Sequence, residues 1–279
     1  MLVERVFSLL VWLLAMLVVA VIIWLVSGLI EQGLGAISWT FLTSDTDNAG
    51  RAGGIAPILV STLLVLLITI AVALPLGLSM AIWLAEFADQ YGNWAQPVRL
   101  TLDVLAGVPS IVYGLFGYAF FGLFLDMGFS ILSGGLTLAC MILPVFVRTC
   151  EMGLRQVDAG FRLGAAALGI SRTRSIRYIL LPAAMPAVTA GLVLGIGRAT
   201  AETAALLFTS GYADRMPASL LDSGRTLSVH IYELSMNVTG GNVMASASAL
   251  VLLAMTVIFN LLAYGLTEHW FGKRLSHEA

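Results

Sequence analysis

Two ionisable side chains, Arg198 and Glu202, stand in an otherwise apolar run late in the chain, with Thr203 next to them. A guanidinium presents a rigid fork of donors that matches the oxygens of phosphate and similar oxyanions. Four residues separate the pair, so on a helix they would share one face. Gly191, Gly195, Gly197, Ala199 and Ala201 around them would let neighbouring helices approach closely. Two roles fit. Arg198 could attract an anion while Glu202 orients it, or the two could form a mutual salt bridge that fixes packing. Hydrolytic chemistry finds no such support. No Ser/His pair or Cys/His cluster lies in an apolar run, and the scattered His230, His269 and His277 suggest no metal site. The single lysine, Lys273, follows no glycine-rich loop, so the chain lacks the G-x-x-x-x-G-K-S/T loop that grips nucleotide phosphates.

The elements that must hold these residues follow from composition. Of 279 residues, 59% are apolar and 11% are charged, against roughly 25% charge in a soluble domain. Most of the surface must therefore face lipid. A net charge of −2 offers no basic field for nucleic acid. Cys140 and Cys150, ten residues apart in one apolar stretch, are too far apart on a helix for a disulfide and read as packing residues.

Six stretches carry no charge: 6–30, 52–85, 104–125, 127–147, 178–197 and 234–267. A spanning helix needs roughly 20 apolar residues. The chain is thus expected to be an all-α polytopic membrane protein, one transmembrane domain over residues 1–279. Its six spans should lie near 6–29, 55–84, 104–125, 128–147, 183–209 and 243–267. The first run is longer than the roughly 7–15-residue core of a signal peptide and no small-x-small site follows it, so a retained span is expected. Pro109 and Pro144 predict kinks or broken helices. Asp103 reads as an interfacial cap of the third span.

Arginine placement orients these spans. With both termini cytoplasmic, Arg5, Arg99, Arg148, Arg155, Arg162, Arg172, Arg174, Arg177, Lys273 and Arg274 lie inside, ten of fourteen basic residues. Only Arg51, Arg215 and Arg225 lie outside, as the positive-inside rule requires. Two polar loops, near 31–53 and 210–242, then face outward. Residues 227–232 read as a short amphipathic segment at the membrane surface.

The segment 148–182 is too charged to span and too rich in helix formers to be a plain loop. Asp158 is a plausible N-cap for a short helix over 159–168. Gly169 ends that helix with a left-handed turn, and Ser171 could cap a second helix running toward Pro182. This segment resembles the EAA loop of bacterial ABC importer permeases. The family pattern is Glu-Ala-Ala, three residues, Gly, nine residues, then Ile-x-Leu-Pro. Gly169, Ile179, Leu181 and Pro182 match at the right spacing, and Ala165 matches the second alanine. Leu163 replaces the glutamate and Gly164 the first alanine. Residues 103–117 and 197–209 resemble the phosphate-specific transport permeases, the A-type subunit more than the C-type. So do Leu84-Ala85-Glu86-Phe87, Val147-Arg148-Thr149 and the stretch 227–260. The resemblance covers most of the chain from Gly53 onward, with Ala201 standing where the family usually has glycine.

That resemblance implies a type I ABC importer permease fold in a bacterial cytoplasmic (inner) membrane, and a non-catalytic conduit. The implied assembly pairs this chain with a paralogous permease, two ATP-binding subunits and an external phosphate-binding protein. ATP would be used by the partner subunits, and this chain would bind no cofactor. Segment 148–182 would form the helices that dock on the ATPase. Arg198 would lie on the phosphate path with Glu202 and Thr203. Arg148, which could otherwise snorkel to the lipid interface, becomes a second candidate there. Sulfate, molybdate or a phosphonate would suit the same arginines. An ion-coupled transporter would show inverted repeats with matching broken helices, which are not evident here. An intramembrane enzyme would need paired catalytic groups at membrane depth.

Overall fold

The computed structural model describes residues 2–88 and 94–267. These residues are almost wholly helical, as an apolar chain in lipid must be, because every backbone N–H and C=O needs an internal partner there. Lys273, Arg274, His269 and His277 lie outside the described residues.

Contacts divide the chain into two units, residues 1–56 with 230–251 and residues 57–229 with the rest. In the first unit, helix α1 (Leu2–Gly33) carries no charge between Arg5 and Glu31. None of its most apolar 18-residue window is buried. A short helix α2 (Trp39–Thr43) follows, capped by the Ser38 hydroxyl, which accepts from the Phe41 N–H. Strands β1 (Thr46–Asp47) and β2 (Ala52–Gly53) then pair antiparallel. A Cβ on Gly33 would meet the backbone of Ala247 at 2.5 Å, so this glycine permits the two segments to touch.

The second unit holds the chemistry. Helix α3 (Ala56–Ile82) continues through a π-helical turn, Trp83–Phe87. Helix α4 (Ala95–Ala106) and helix α5 (Ser110–Gly117) follow, and α5 runs on as a π-helix to Phe124. Helix α6 (Ile131–Gln156) is the central element, with α4, α5 and the later helices α10 and α11 packed around it. Helix α7 (Ala159–Ala167), helix α8 (Arg172–Ser175), a π-turn Ile176–Leu180 and helix α9 (Leu181–Ala183) lead to α10 (Met185–Ala201) and α11 (Ala204–Thr209). Helices α12 (Leu227–Met236) and α13 (Asn242–Thr267) close the described chain. Small residues set the packing. A Cβ on Gly77 of α3 would meet Phe146 of α6 at 2.5 Å, and one on Gly135 of α6 would meet Ile68 of α3 at 2.6 Å.

Among the described residues, four helices are long and apolar enough to cross a membrane. Two further bent pairs, 95–106 with 110–124 and 172–183 with 185–201, raise the number to at most six. The stretch 104–125 is not one straight helix. It breaks at Gly107-Val108-Pro109 with a 101° bend. Pro109 lacks an N–H and biases Val108 away from helical angles. The stretch expected as the fourth span, 128–147, falls mostly in α6, which begins at Ile131. Helix α6 continues to Gln156 because its charges pair along one face. Pro144 sits inside α6 without ending it. Residues 227–232 belong to α12, where Leu227, Val229 and His230 are fully buried and Tyr232 is exposed. Two of its polar groups are met internally: Thr62 accepts from the Leu227 N–H, and the Ser228 hydroxyl donates to the Glu202 carbonyl.

Candidate functional site

Arg198 lies in the last turn of α10, half-buried. Among the described residues it makes no hydrogen bond or ion pair to any carboxylate. The shared helix face expected for Arg198 and Glu202 does not form. Glu202 has extended angles (φ −71°, ψ 124°) and ends α10, while Thr203 stands at the N-cap position of α11. The carboxylate turns forward instead, and its Oε1 accepts the Ala205 N–H at 3.1 Å. An N-terminal helix turn leaves such N–H groups unpaired, and a carboxylate there is doubly favoured by hydrogen bond and dipole. Glu202 is thereby occupied as a cap, and among the described residues Arg198 has no carboxylate partner.

Helix α5 packs against this break. A Cβ on Gly114 would meet the Ala205 Cα at 2.8 Å, so only glycine admits so close an approach. Tyr113 is buried beside it, donates its hydroxyl to the Leu105 carbonyl at 2.9 Å, and lies within electrostatic range of Arg198. Arg198, Glu202 and Thr203 thus come together at a broken helix, with Tyr113 as a neighbour that the sequence did not single out.

Arg148 belongs to a second cluster. Its Nη1 donates to Glu151 Oε2 at 2.7 Å, while its Nε and Nη2 form a fork on Asp103 at 2.7 and 3.3 Å. Asp103 is an ion-pair partner within α4 rather than a cap opening a span. Glu151 is only 1% exposed and receives three guanidinium groups, from Arg148, from Arg99 at 2.6 Å and from Arg155 at 3.1 Å. Burial of one carboxylate is tolerated because all three donors are charged and directed at it.

Arg99 and Arg155 also donate to the same backbone oxygen, that of Leu84, at 3.0 and 3.2 Å. The π-turn leaves room for this, because the Ala88 N–H bonds the Trp83 carbonyl. Glu86, in the same turn and 8% exposed, receives Arg162 through a bond of 2.6 Å from Nη2 and one of 3.1 Å from Nε. The rest of the Arg162 fork caps the end of α6, donating to the Leu154 carbonyl at 2.7 Å and the Val157 carbonyl at 2.8 Å. Arg172 lies over the Phe87 ring at 4.5 Å.

The 148–182 segment follows its sequence pattern closely. Asp158 caps α7 by accepting the Gly160 N–H. Gly169 has φ +67° and turns the chain with nothing near its Cβ position. Ser171 stands at the N-cap of α8 without a side-chain bond. Ala165 is buried, whereas Leu163 and Leu168 are 71% and 79% exposed and Gly164 faces open space. Ala165 and Ile179 line an apolar cavity of about 440 Å³ with Phe161, Leu168 and Ile170. Leu181 and Pro182 form α9. Glu86, Arg99 and Glu151 were not singled out, although Arg148, Glu151 and Arg155 at i, i+3 and i+7 mark one helix face legible in the sequence.

A model of the binding-protein-dependent transport system inner membrane component family matches residues 73–276, and the chain belongs to that family. Among individual relatives, the probable ABC transporter permease protein YqgI of Bacillus subtilis is 30% identical over 276 residues, covering 94% of this chain and 92% of that one. The phosphate transport system permease protein PstA homolog of Mycoplasma pneumoniae is 33% identical over 242 residues, 84% of this chain. The match spans only 36% of that longer protein. Among solved structures, a bacterial ABC transporter involved in the import of the acidic polysaccharide alginate superposes with a TM-score of 0.61 at 14% identity, over 92% of this chain and 96% of that one. That likeness is one of fold, the type I importer permease fold.

Proposed function

We propose that this chain is the transmembrane permease subunit of an ATP-driven importer of inorganic phosphate and forms the translocation path with a second permease. The observation that carries the reading is Arg198, a guanidinium at a broken helix with no carboxylate partner among the described residues, because Glu202 is engaged as the cap of α11. An uncompensated charge at membrane depth costs roughly 2.5–3.5 kcal/mol, and a passing oxyanion would offset it. Thr203 adds a hydroxyl at the same break. Family membership and the phosphate permeases among its relatives support the choice of anion.

In this reading both termini are cytoplasmic and the protein sits in a bacterial inner membrane. Segment 148–182 faces the cytoplasm. There α7, with exposed Leu163 and Leu168 and with Gly164, Ala165 and Gly169 setting its shape, docks on one of two ATP-binding subunits, while Ile179, Leu181 and Pro182 join it to α10. An external phosphate-binding protein delivers the anion. ATP binding and hydrolysis occur on the partners, and this chain contributes no catalytic group.

The test is ATP-dependent uptake of labelled phosphate in proteoliposomes holding the whole complex, with Arg198→Gln beside the wild type. Wild-type uptake that falls at least tenfold in the assembled variant supports both the anion and the site. Undiminished uptake in the variant removes Arg198 from the path. Absence of phosphate uptake with ATPase activity stimulated by sulfate, molybdate or a phosphonate would assign a different oxyanion.

A further inference from the structure

Four arginines from four places in the chain converge on one π-helical turn. Arg99 of α4 and Arg155 of α6 share the Leu84 carbonyl, Arg162 of α7 grips Glu86, and Arg172 of α8 covers the Phe87 ring. The turn Trp83–Phe87 ends the long apolar helix α3, and two of the arginines sit on the short helices of the 148–182 segment. We propose that Glu86 is a positioning residue for energy coupling, the point at which displacement of α7 is passed to the membrane helix α3. The inference rests on the proposed role of the 148–182 segment as the contact with an ATPase.

The geometry separates this contact from ordinary loop packing. Helix α7 is only nine residues long and much of it is exposed, Phe161 and Leu163 among its residues and Leu168 just after it. Apolar burial holding it to the membrane helices is confined to Ala165 and the cavity beside it. A push on such a helix would be absorbed at Gly169 and at the extended residue Val157 unless something stiff bridged it to the bundle. The Arg162 guanidinium is that bridge. All three of its nitrogens are used, on Glu86 and on the Leu154 and Val157 carbonyls, so a single planar group ties α7 to the ends of α3 and α6. Charge-assisted bonds of 2.6–2.8 Å to a nearly buried carboxylate and to helix-end carbonyls fix direction as well as distance. The Leu84 carbonyl, held by Arg99 and Arg155, keeps the turn itself from rotating.

Glu86 therefore acts on the ratio of phosphate moved to ATP consumed rather than on the anion path. The experiment uses the complete complex in proteoliposomes and measures uptake and ATP hydrolysis together for the wild type, Glu86→Gln, Glu86→Asp and Arg162→Lys. The expected result is a Glu86→Gln complex that still binds its ATPase subunits and hydrolyses ATP, with phosphate moved per ATP reduced at least fivefold. Arg162→Lys, which keeps the charge and loses the fork, should fall between. Glu86→Asp, which keeps the carboxylate, should couple better than Glu86→Gln, so a lost link is told apart from a lost fold. A wild-type ratio in Glu86→Gln overturns the inference while leaving the proposed function intact. So does a Glu86→Asp complex that assembles as wild type but couples no better than Glu86→Gln. A wild-type complex without ATP-dependent uptake overturns the function, and the inference with it.

Discussion

At the residue scale, carboxylates that hold structure contrast with Arg198, which pairs with no carboxylate among the described residues. Glu151 is the clearest structural carboxylate, buried beneath Arg99, Arg148 and Arg155. Removing it leaves guanidinium groups facing one another in a low-dielectric setting, a change that costs about 3–5 kcal/mol for buried pairs. The arginines are partly exposed and Arg148 keeps Asp103, so Glu151→Ala is expected to destabilise by about 3 kcal/mol, near the lower end. Unfolding in mixed micelles would measure it, and a loss below 1 kcal/mol would show the cluster to be ornamental. Arg198→Gln is expected to leave stability unchanged or raised in the same assay, because no internal bond is lost. The sequence marked Arg198, Glu202 and Thr203 by their setting in an apolar run. It could not show that Glu202 leaves the helix, since a carboxylate four residues after an arginine fits a salt bridge and an N-cap equally well until the break at 202–203 is seen.

At the element scale, charge and apolarity locate most helices, and breaks escape. Helix α7 was legible to its caps because Asp158 and Gly169 have one physical use each at those positions, an acceptor for free N–H groups and a residue at home at positive φ. The continuation of α6 past Arg148 was missed for the opposite reason. A run of charges looks like a loop when read as composition, and like a helix face only when Arg148, Glu151 and Arg155 are read by spacing. The bend at Gly107–Pro109 was announced by Pro109, although its 101° angle was not. The packing of α5 on α11 gives the element-scale prediction. Gly114→Ala would place a methyl group 2.8 Å from the Ala205 Cα, against backbone that cannot rotate away. Overpacking of this kind costs about 1–3 kcal/mol, and here it also displaces the α10–α11 break that carries Arg198. Phosphate uptake in Gly114→Ala should fall severalfold while ATPase binding at the far segment persists. Uptake at the wild-type level would mean that the break is not held by α5.

At the scale of the whole molecule, function turns on which side of the membrane each charged segment faces. Ten basic residues on one side by sequence make a strong orienting signal, and five of them, Arg99, Arg148, Arg155, Arg162 and Arg172, contact Glu86, Glu151 or the π-turn. Orientation and construction of the 148–182 segment are therefore a single constraint. Reversing the chain would put the arginine cluster outside and remove the contact with an ATP-driven partner. Two exposed leucines provide probes at opposite faces, Leu168 after α7 and Leu221 in the polar loop before α12. With Cys140 and Cys150 replaced by alanine, Leu168→Cys should react with a membrane-impermeant thiol reagent only in inverted vesicles. Leu221→Cys should react only in intact spheroplasts. The reverse pattern would place the arginine segment away from any cytoplasmic ATPase and overturn the importer reading. Labelling of both sites from the cytoplasmic side would mean that an odd number of spans separates α7 from the 210–226 loop no longer holds, and that the bent unit 172–201 re-enters the membrane from the side it left.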